Sequence, residues 1–171
     1  MRIFLVRPMA TAALSLAGAC AGQPRATVQA ASVERMQCDS SSTSQDHLVR
    51  SIAVLQVQPL YSQVGSTGST EERINGAKLT VRPPKGVSAE QLTRVLQCHS
   101  ARALLGQLDG SAVRNDPYWL ADTWVTIEVK PENGNFAVTV SADTLRDNLQ
   151  VFSRAHSYAD DHAVAADVGL P

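Results

Sequence analysis

The chain has 171 residues and a formal net charge of −1 with histidine neutral; 18% of the residues are charged and 5% aromatic. That length supports one domain with a sizeable core, and so balanced a charge excludes a nucleic-acid partner, which needs a basic face. Three cysteines and four histidines form none of the usual zinc or haem spacings: there is no Cys-x-x-Cys, and Cys98-His99 lacks the second cysteine of a haem attachment motif.

Arg2 and Arg7 flank an apolar stretch, Pro8 to Ala19, that ends in Leu16-Ala17-Gly18-Ala19-Cys20. A short cationic stretch, a short apolar stretch and small residues before a cut predict an export signal over residues 1–19. The apolar run is too short for a spanning helix, which needs about 20 residues. Ala17-Gly18-Ala19 fits an ordinary secretory cleavage site. With Cys20 next, the segment also resembles the lipobox of bacterial lipoproteins, although Ala17 stands where Leu is usual and Leu16 lies one place further out. The resemblance implies cleavage before Cys20, diacylglycerol on its sulfur and a palmitate-class acyl group on its new amino terminus. It also implies a place in the cell envelope, and Ala21 after the cysteine implies the outer membrane, facing the periplasm. Without the signal the chain is near −3, because Arg2 and Arg7 go and no acidic residue does. Membrane attachment then rests on lipid rather than on a polybasic patch.

If Cys20 carries lipid, Cys38 and Cys98 are left to pair in an oxidising compartment. Their bridge closes a loop of about sixty residues and stabilises by roughly 4 kcal/mol on the chain-entropy model. The alternative is two unpaired, half-buried thiols.

From Cys20 to about residue 46 the chain is Ala-, Gln-, Ser- and Thr-rich and reads as a flexible tether; an ordered extension pinned by Cys38 is compatible with the same residues. The domain is expected over residues 47–160. Residues 49–58 are β-rich and stop before Pro59. Ser62 to Glu72 reads as a mobile loop. Ala77 to Arg82 alternates as a half-buried strand. Ser88-Ala89-Glu90-Gln91 is a capping box, opening a helix with Leu92, Val95, Leu96, His99 and Ala103 on one face. It fades before Gly106 or Asp109-Gly110, and residues 109–118 form another loop. Thr123–Lys130 and Asn135–Val140 read as strands joined by the turn Pro131-Glu132-Asn133-Gly134. A second helix is expected from about Asp143 to Ala159, its apolar stripe Leu145, Leu149, Phe152 and His156. Residues 161–171 read as a tail.

The order ββαββα predicts an α+β domain: a four-stranded, mostly antiparallel sheet with two helices on one face. Residues 88–97 and 141–150 agree at five of ten positions, as an internal duplication would; helix starts also look alike for purely physical reasons.

Chemistry has two candidate locations. His99 and His156 lie in apolar stripes; with His162 they are a candidate Zn or Cu site. The alternative is packed rings and no cofactor, His99 matching the core slot of Phe152. Tyr118, Trp119 and Trp124 crowd the entry to the third strand as a candidate binding surface. Alternation puts Trp124 opposite Val125, Ile127 and Val129, where it faces a protein or glycan partner; the alternative is that all three pack. Nothing marks a nucleophile elbow, a Ser-x-x-Lys pair, a phosphate loop or His-Glu-x-x-His. The expected function is therefore a non-catalytic binding or structural domain of an envelope lipoprotein, acting through the open sheet face or the Ser/Gly loop. The alternatives are a small Zn- or Cu-binding protein and a hydrolase.

Overall fold

Two hairpins build the sheet. A computed structural model of the chain describes residues 25–38, 42–66, 69–108 and 115–167; the segment expected as an export signal and Cys20 lie outside the described residues. The elements are α1 (Arg25–Gln37), α2 (Ser42–Arg50), β1 (Val54–Ser66), β2 (Ser69–Val81), α3 (Ala89–Leu104), β3 (Thr126–Glu132), β4 (Asn135–Ser141) and α4 (Leu145–Asp167). The sheet runs β1-β2-β4-β3 and every pairing is antiparallel. The fold is α+β, with a four-stranded antiparallel sheet.

Alternation fixes the register. Ala77, Leu79 and Val81 of β2, Ile127 and Val129 of β3, and Val138 and Val140 of β4 form one core with Leu92 and Leu96 of α3 and Val151, Ala155 and Tyr158 of α4. Since all these side chains meet, both helices cover the same sheet face. The β3–β4 turn is closed by Asn133 and Gly134, with φ of 51° and 78°. Two successive positive φ values match the right-handed twist of the strands, and Asn-Gly supplies them at little cost.

The hairpins are arranged symmetrically. Each contributes its second strand to the centre, where β2 meets β4, and each helix crosses to the other hairpin: α3 packs on β3, and α4 on β1 and β2. A duplicated ββα unit would have this layout.

The first hairpin is longer than expected. β1 begins after Ile52, runs through Pro59 and continues to Ser66. An edge strand tolerates proline because the lost N–H can face solvent, and β1 is at an edge. The stretch expected as a loop, 62–72, is instead the outer half of the hairpin, paired from Ser62↔Arg73 to Ser66↔Ser69. Thr67 and Gly68 of the Ser/Gly segment lie outside the described residues. Between Pro59/Ala77 and Tyr61/Ile74 the register shifts, leaving an extra residue on β2 at Asn75-Gly76. Gly76 has φ 125°, and a Cβ there would sit 2.0 Å from the Val140 carbonyl oxygen. Only glycine allows β4 to approach this bulge.

The N-terminal segment is helical where the sequence suggested a tether. α1 packs on α3, burying Ala26 and Ala30, and Val49 and Ile52, at and just after the end of α2, join the core. These small and branched residues are too sparse to signal a helix by periodicity, and α3 supplies the surface they need. In consequence α3 is buried on two sides. Leu92 and Leu96 face the sheet core, while Cys98, His99, Ser100 and Arg102 are also buried.

The capping box of α3 forms as expected: Ser88 Oγ accepts from the Gln91 N–H (3.2 Å) and Gln91 Oε1 accepts from the Ser88 N–H (3.0 Å). In α4 the phase of the helix corrects the expected stripe. Leu145 and Leu149 are exposed, and so is His156; Asn148, Val151, Ala155 and Tyr158 face inward. The cap is Thr144, whose hydroxyl accepts from the Asp147 N–H (3.2 Å), three residues after the position aligned with Ser88. Asn148 is buried because its side chain both accepts from the Ala142 N–H (2.7 Å) and donates to the Ala142 carbonyl (3.0 Å). The helix also runs on past residue 160 to Asp167.

Candidate functional site

One turn of α3 holds the N-terminal helices through three bonds. Cys98 is disulfide-bonded to Cys38, with Cα atoms 5.5 Å apart. His99 Nδ1 lies 3.5 Å from Asp46 of α2, and its Nε2 bonds Asp116 in the loop before β3. Arg102 donates to Gln45 of α2 (3.0 Å). Positions 98, 99 and 102 lie within one turn of helix, so a single stripe gathers all three.

His99 and Asp116 are both buried, at 5% and 4% exposure. Burial by itself lowers the His99 pKa, but the hydrogen bond and charge of Asp116, then those of Asp46, outweigh it and raise it above the ordinary 6.5. The shift is toward the imidazolium, the form in which both ring nitrogens are donors facing carboxylates. Such a ring has no lone pair with which to take a proton from a nucleophile. Asp116 is engaged elsewhere too: its second oxygen accepts from the Tyr118 N–H (2.7 Å). Tyr118 packs edge-on against Tyr158 at 5.6 Å, and the Tyr158 hydroxyl donates to the Val49 carbonyl (2.7 Å). Burial pushes both phenols up, that of Tyr118 far up, so both stay neutral. Arg154 donates to the Trp119 carbonyl (2.9 Å) and sits 5.5 Å from the Trp119 ring centre.

A different environment surrounds Trp124. It lines a cleft of about 410 Å³ together with Arg25 and Gln29 of α1, Asp122, Thr123 and Thr126 around the start of β3, and Asp143, Thr144 and Asp147 at the start of α4. Trp124 is half-buried and makes no hydrogen bond or ring contact with the described residues. Its indole N–H has no acceptor among the described residues. Asp147 accepts from the Thr144 hydroxyl (2.8 Å) and the Thr123 hydroxyl (3.4 Å). Asp122 and Asp143 are exposed, and neither they nor Arg25 form an ion pair among the described residues.

The expected residues therefore separate. Of the three aromatics, Tyr118 is fully buried core, Trp119 is half-buried against Arg154, and Trp124 alone lines a cleft. Of the histidines, His99 sits between carboxylates. His156 is exposed with its ring edge-on to Phe152 at 4.7 Å, and His162 stacks on Tyr158 at 3.9 Å. Each has its own partners, and among the described residues no three His, Cys, Asp or Glu side chains are grouped to hold a metal. On the open sheet face, Lys78 pairs with Glu132 (2.7 Å) and Lys130 with Glu128 (2.9 Å). Lys78, Lys130 and Glu132 border a shallow hollow of about 300 Å³ with Pro131, Ala137 and Thr139.

Sequence reasoning missed Asp46 and Asp116, which it placed in a tether and a loop, and Arg25, Asp122 and Asp143 beside Trp124. Except for Asp122, two residues before Trp124, each comes from a segment far from its partner in the chain, so no local spacing marks it. The crowding of aromatics before β3 was the one signal that reached the cleft. No family model, curated protein or solved structure matches the chain.

Proposed function

We propose that the chain is an exported, lipid-anchored envelope protein whose domain binds a partner without catalysis, and that the Trp124 cleft is its recognition site. The observation that carries this reading is the contrast in use of polar groups. Trp124, Arg25, Asp122 and Asp143 line one cleft, and their side chains are engaged in no hydrogen bond or ion pair among the described residues. A concave site with an aromatic wall and a few free polar groups is the usual form of a ligand pocket. The paired cysteines fit export to an oxidising compartment, and Cys20 supplies the anchor. The open sheet face, with its lysines paired to its glutamates, has less to offer.

The test is site-specific photocrosslinking in bacterial cells carrying the full chain, with the probe at Thr126 on the cleft rim or at Thr139 on the sheet. The reading predicts an adduct from Thr126 that Trp124→Ala abolishes. An adduct from Thr139 alone would move the site to the open sheet. Intact-mass analysis of the membrane-extracted protein tests the anchor: the diacylglycerol and acyl masses on Cys20 are expected, and an unmodified chain starting at Cys20 would refute it.

A further inference from the structure

The chemistry of the Trp124 cleft narrows the ligand. Three acidic residues, Asp122, Asp143 and Asp147, line the cleft together with one arginine, Arg25, and Trp124. Asp147 is committed to the hydroxyls of Thr123 and Thr144, which leaves Asp122 and Asp143 to act on a ligand. Exposed carboxylates beside a tryptophan ring favour a cation, and quaternary or protonated amines are what such rings bind best. With three carboxylates to one guanidinium, the cleft is net negative and concentrates cations. Arg25 adds a second demand. It stands at the first turn of α1 without an ion pair to any of these carboxylates, and guanidinium is the side chain best matched to a phosphate.

Resting on the reading above that this cleft is the recognition site, we propose that it binds the phosphate ester of a small amino alcohol, of the phosphoethanolamine or phosphocholine class. The ammonium lies against Trp124 between Asp122 and Asp143, and the phosphate takes Arg25. The same chemistry occurs as a free metabolite and as a phospholipid headgroup. Chain length favours the headgroup. Arg25 follows Cys20 by five residues, which span at most about 18 Å, so a lipid on Cys20 keeps the cleft close to the bilayer surface.

The test is isothermal titration of the full mature chain, with Cys20→Ser to keep it in solution, against phosphocholine and against choline. Saturable one-to-one binding of phosphocholine is expected. Asp143→Asn should weaken both probes roughly tenfold. Arg25→Gln should weaken phosphocholine by a similar factor and leave choline unchanged, which a merely structural role for Arg25 does not predict. Asp143 is exposed and forms no ion pair among the described residues, and an unchanged melting curve for its variant confirms that the fold is intact. Co-sedimentation then separates the sources. Binding to phosphatidylcholine vesicles but not to pure phosphatidylglycerol assigns the headgroup, and binding to the soluble probe alone assigns a free ligand. Absence of saturable heat with phosphocholine, or affinities that neither substitution changes, overturns the proposed ligand. If the Thr126 adduct persists in that case, the cleft remains the recognition site for another chemistry; if the adduct is also absent, both readings fall.

Discussion

The turn of α3 that carries Cys98, His99 and Arg102 and the cleft around Trp124 draw on similar side chains and use them in opposite ways. In the first, a histidine, one aspartate and two tyrosines are buried and a second aspartate, Asp46, is half-buried, and the ring nitrogens and carboxylates are directed at other parts of the chain. In the second, an indole, an arginine and two aspartates lie together without engaging one another. Burial separates the two cases. Most polar groups out of water are satisfied by the protein, the buried Ser100 and Tyr118 hydroxyls being exceptions here, whereas one at a cleft wall can wait for a ligand. Histidine and aspartate in proximity therefore mark a structural clasp here, and the chemically plainer cleft is the better site.

Breaking the clasp should have the largest effect on stability. Loss of the Cys38–Cys98 bridge, by reduction or by Cys98→Ser, removes a cross-link between positions 60 apart in sequence. It should cost about 4 kcal/mol, read as a lower urea midpoint in the presence of reductant. His99→Phe should cost about 3 kcal/mol, the lower end for removing one partner of a buried charged pair, because Asp116 keeps the Tyr118 N–H. From the sequence alone a phenylalanine would have been acceptable at this slot, as in the aligned Phe152; the two carboxylates around His99 make it unfavourable. Urea unfolding of the variant at pH 6 gives the value directly.

The clasp should also respond to pH in one direction. The folded pKa of His99 is raised above 6.5. Its stabilising contribution is therefore fully present below the unfolded value and is lost as pH rises through the folded one. Unfolding midpoints of the wild type should fall between pH 6 and pH 8.5, and His99→Phe should fall less. A rise over that range in the wild type alone would show that the ring is held neutral. The cleft should respond least. Trp124→Phe removes no hydrogen bond and should shift stability by no more than about 0.5 kcal/mol, measured by the same unfolding experiment, while weakening the Thr126 adduct.

The elements that local physics dictates were legible in the sequence. The Ser88 capping box, the Asn133-Gly134 turn, the alternation of Ala77, Leu79 and Val81, and the α+β arrangement all follow from neighbours within a few residues. The errors arose where distant partners decide. Ala26 and Ala30 bury only because α3 lies beside them. Thr70 to Glu72 form strand because Val64 and its neighbours pair with them. Leu145 and Leu149 look like a core stripe until Asn148, held by Ala142, sets the phase of α4. Of the candidate sites, the sequence showed that aromatics gather near residue 124; which of the three lines a cleft depended on Arg25 and Asp143, one a hundred residues earlier and the other at the start of another helix.

The most direct measurement is a ¹⁵N spectrum of the oxidised full mature chain carrying Cys20→Ser, recorded with and without phosphocholine. It reports the Trp124 indole N–H and the His99 ring together. A saturable shift of the Trp124 indole signal with the His99 signals unmoved is the predicted result. Movement of the His99 signals with Trp124 unchanged would place the ligand at the clasp and contradict the assignment of the cleft.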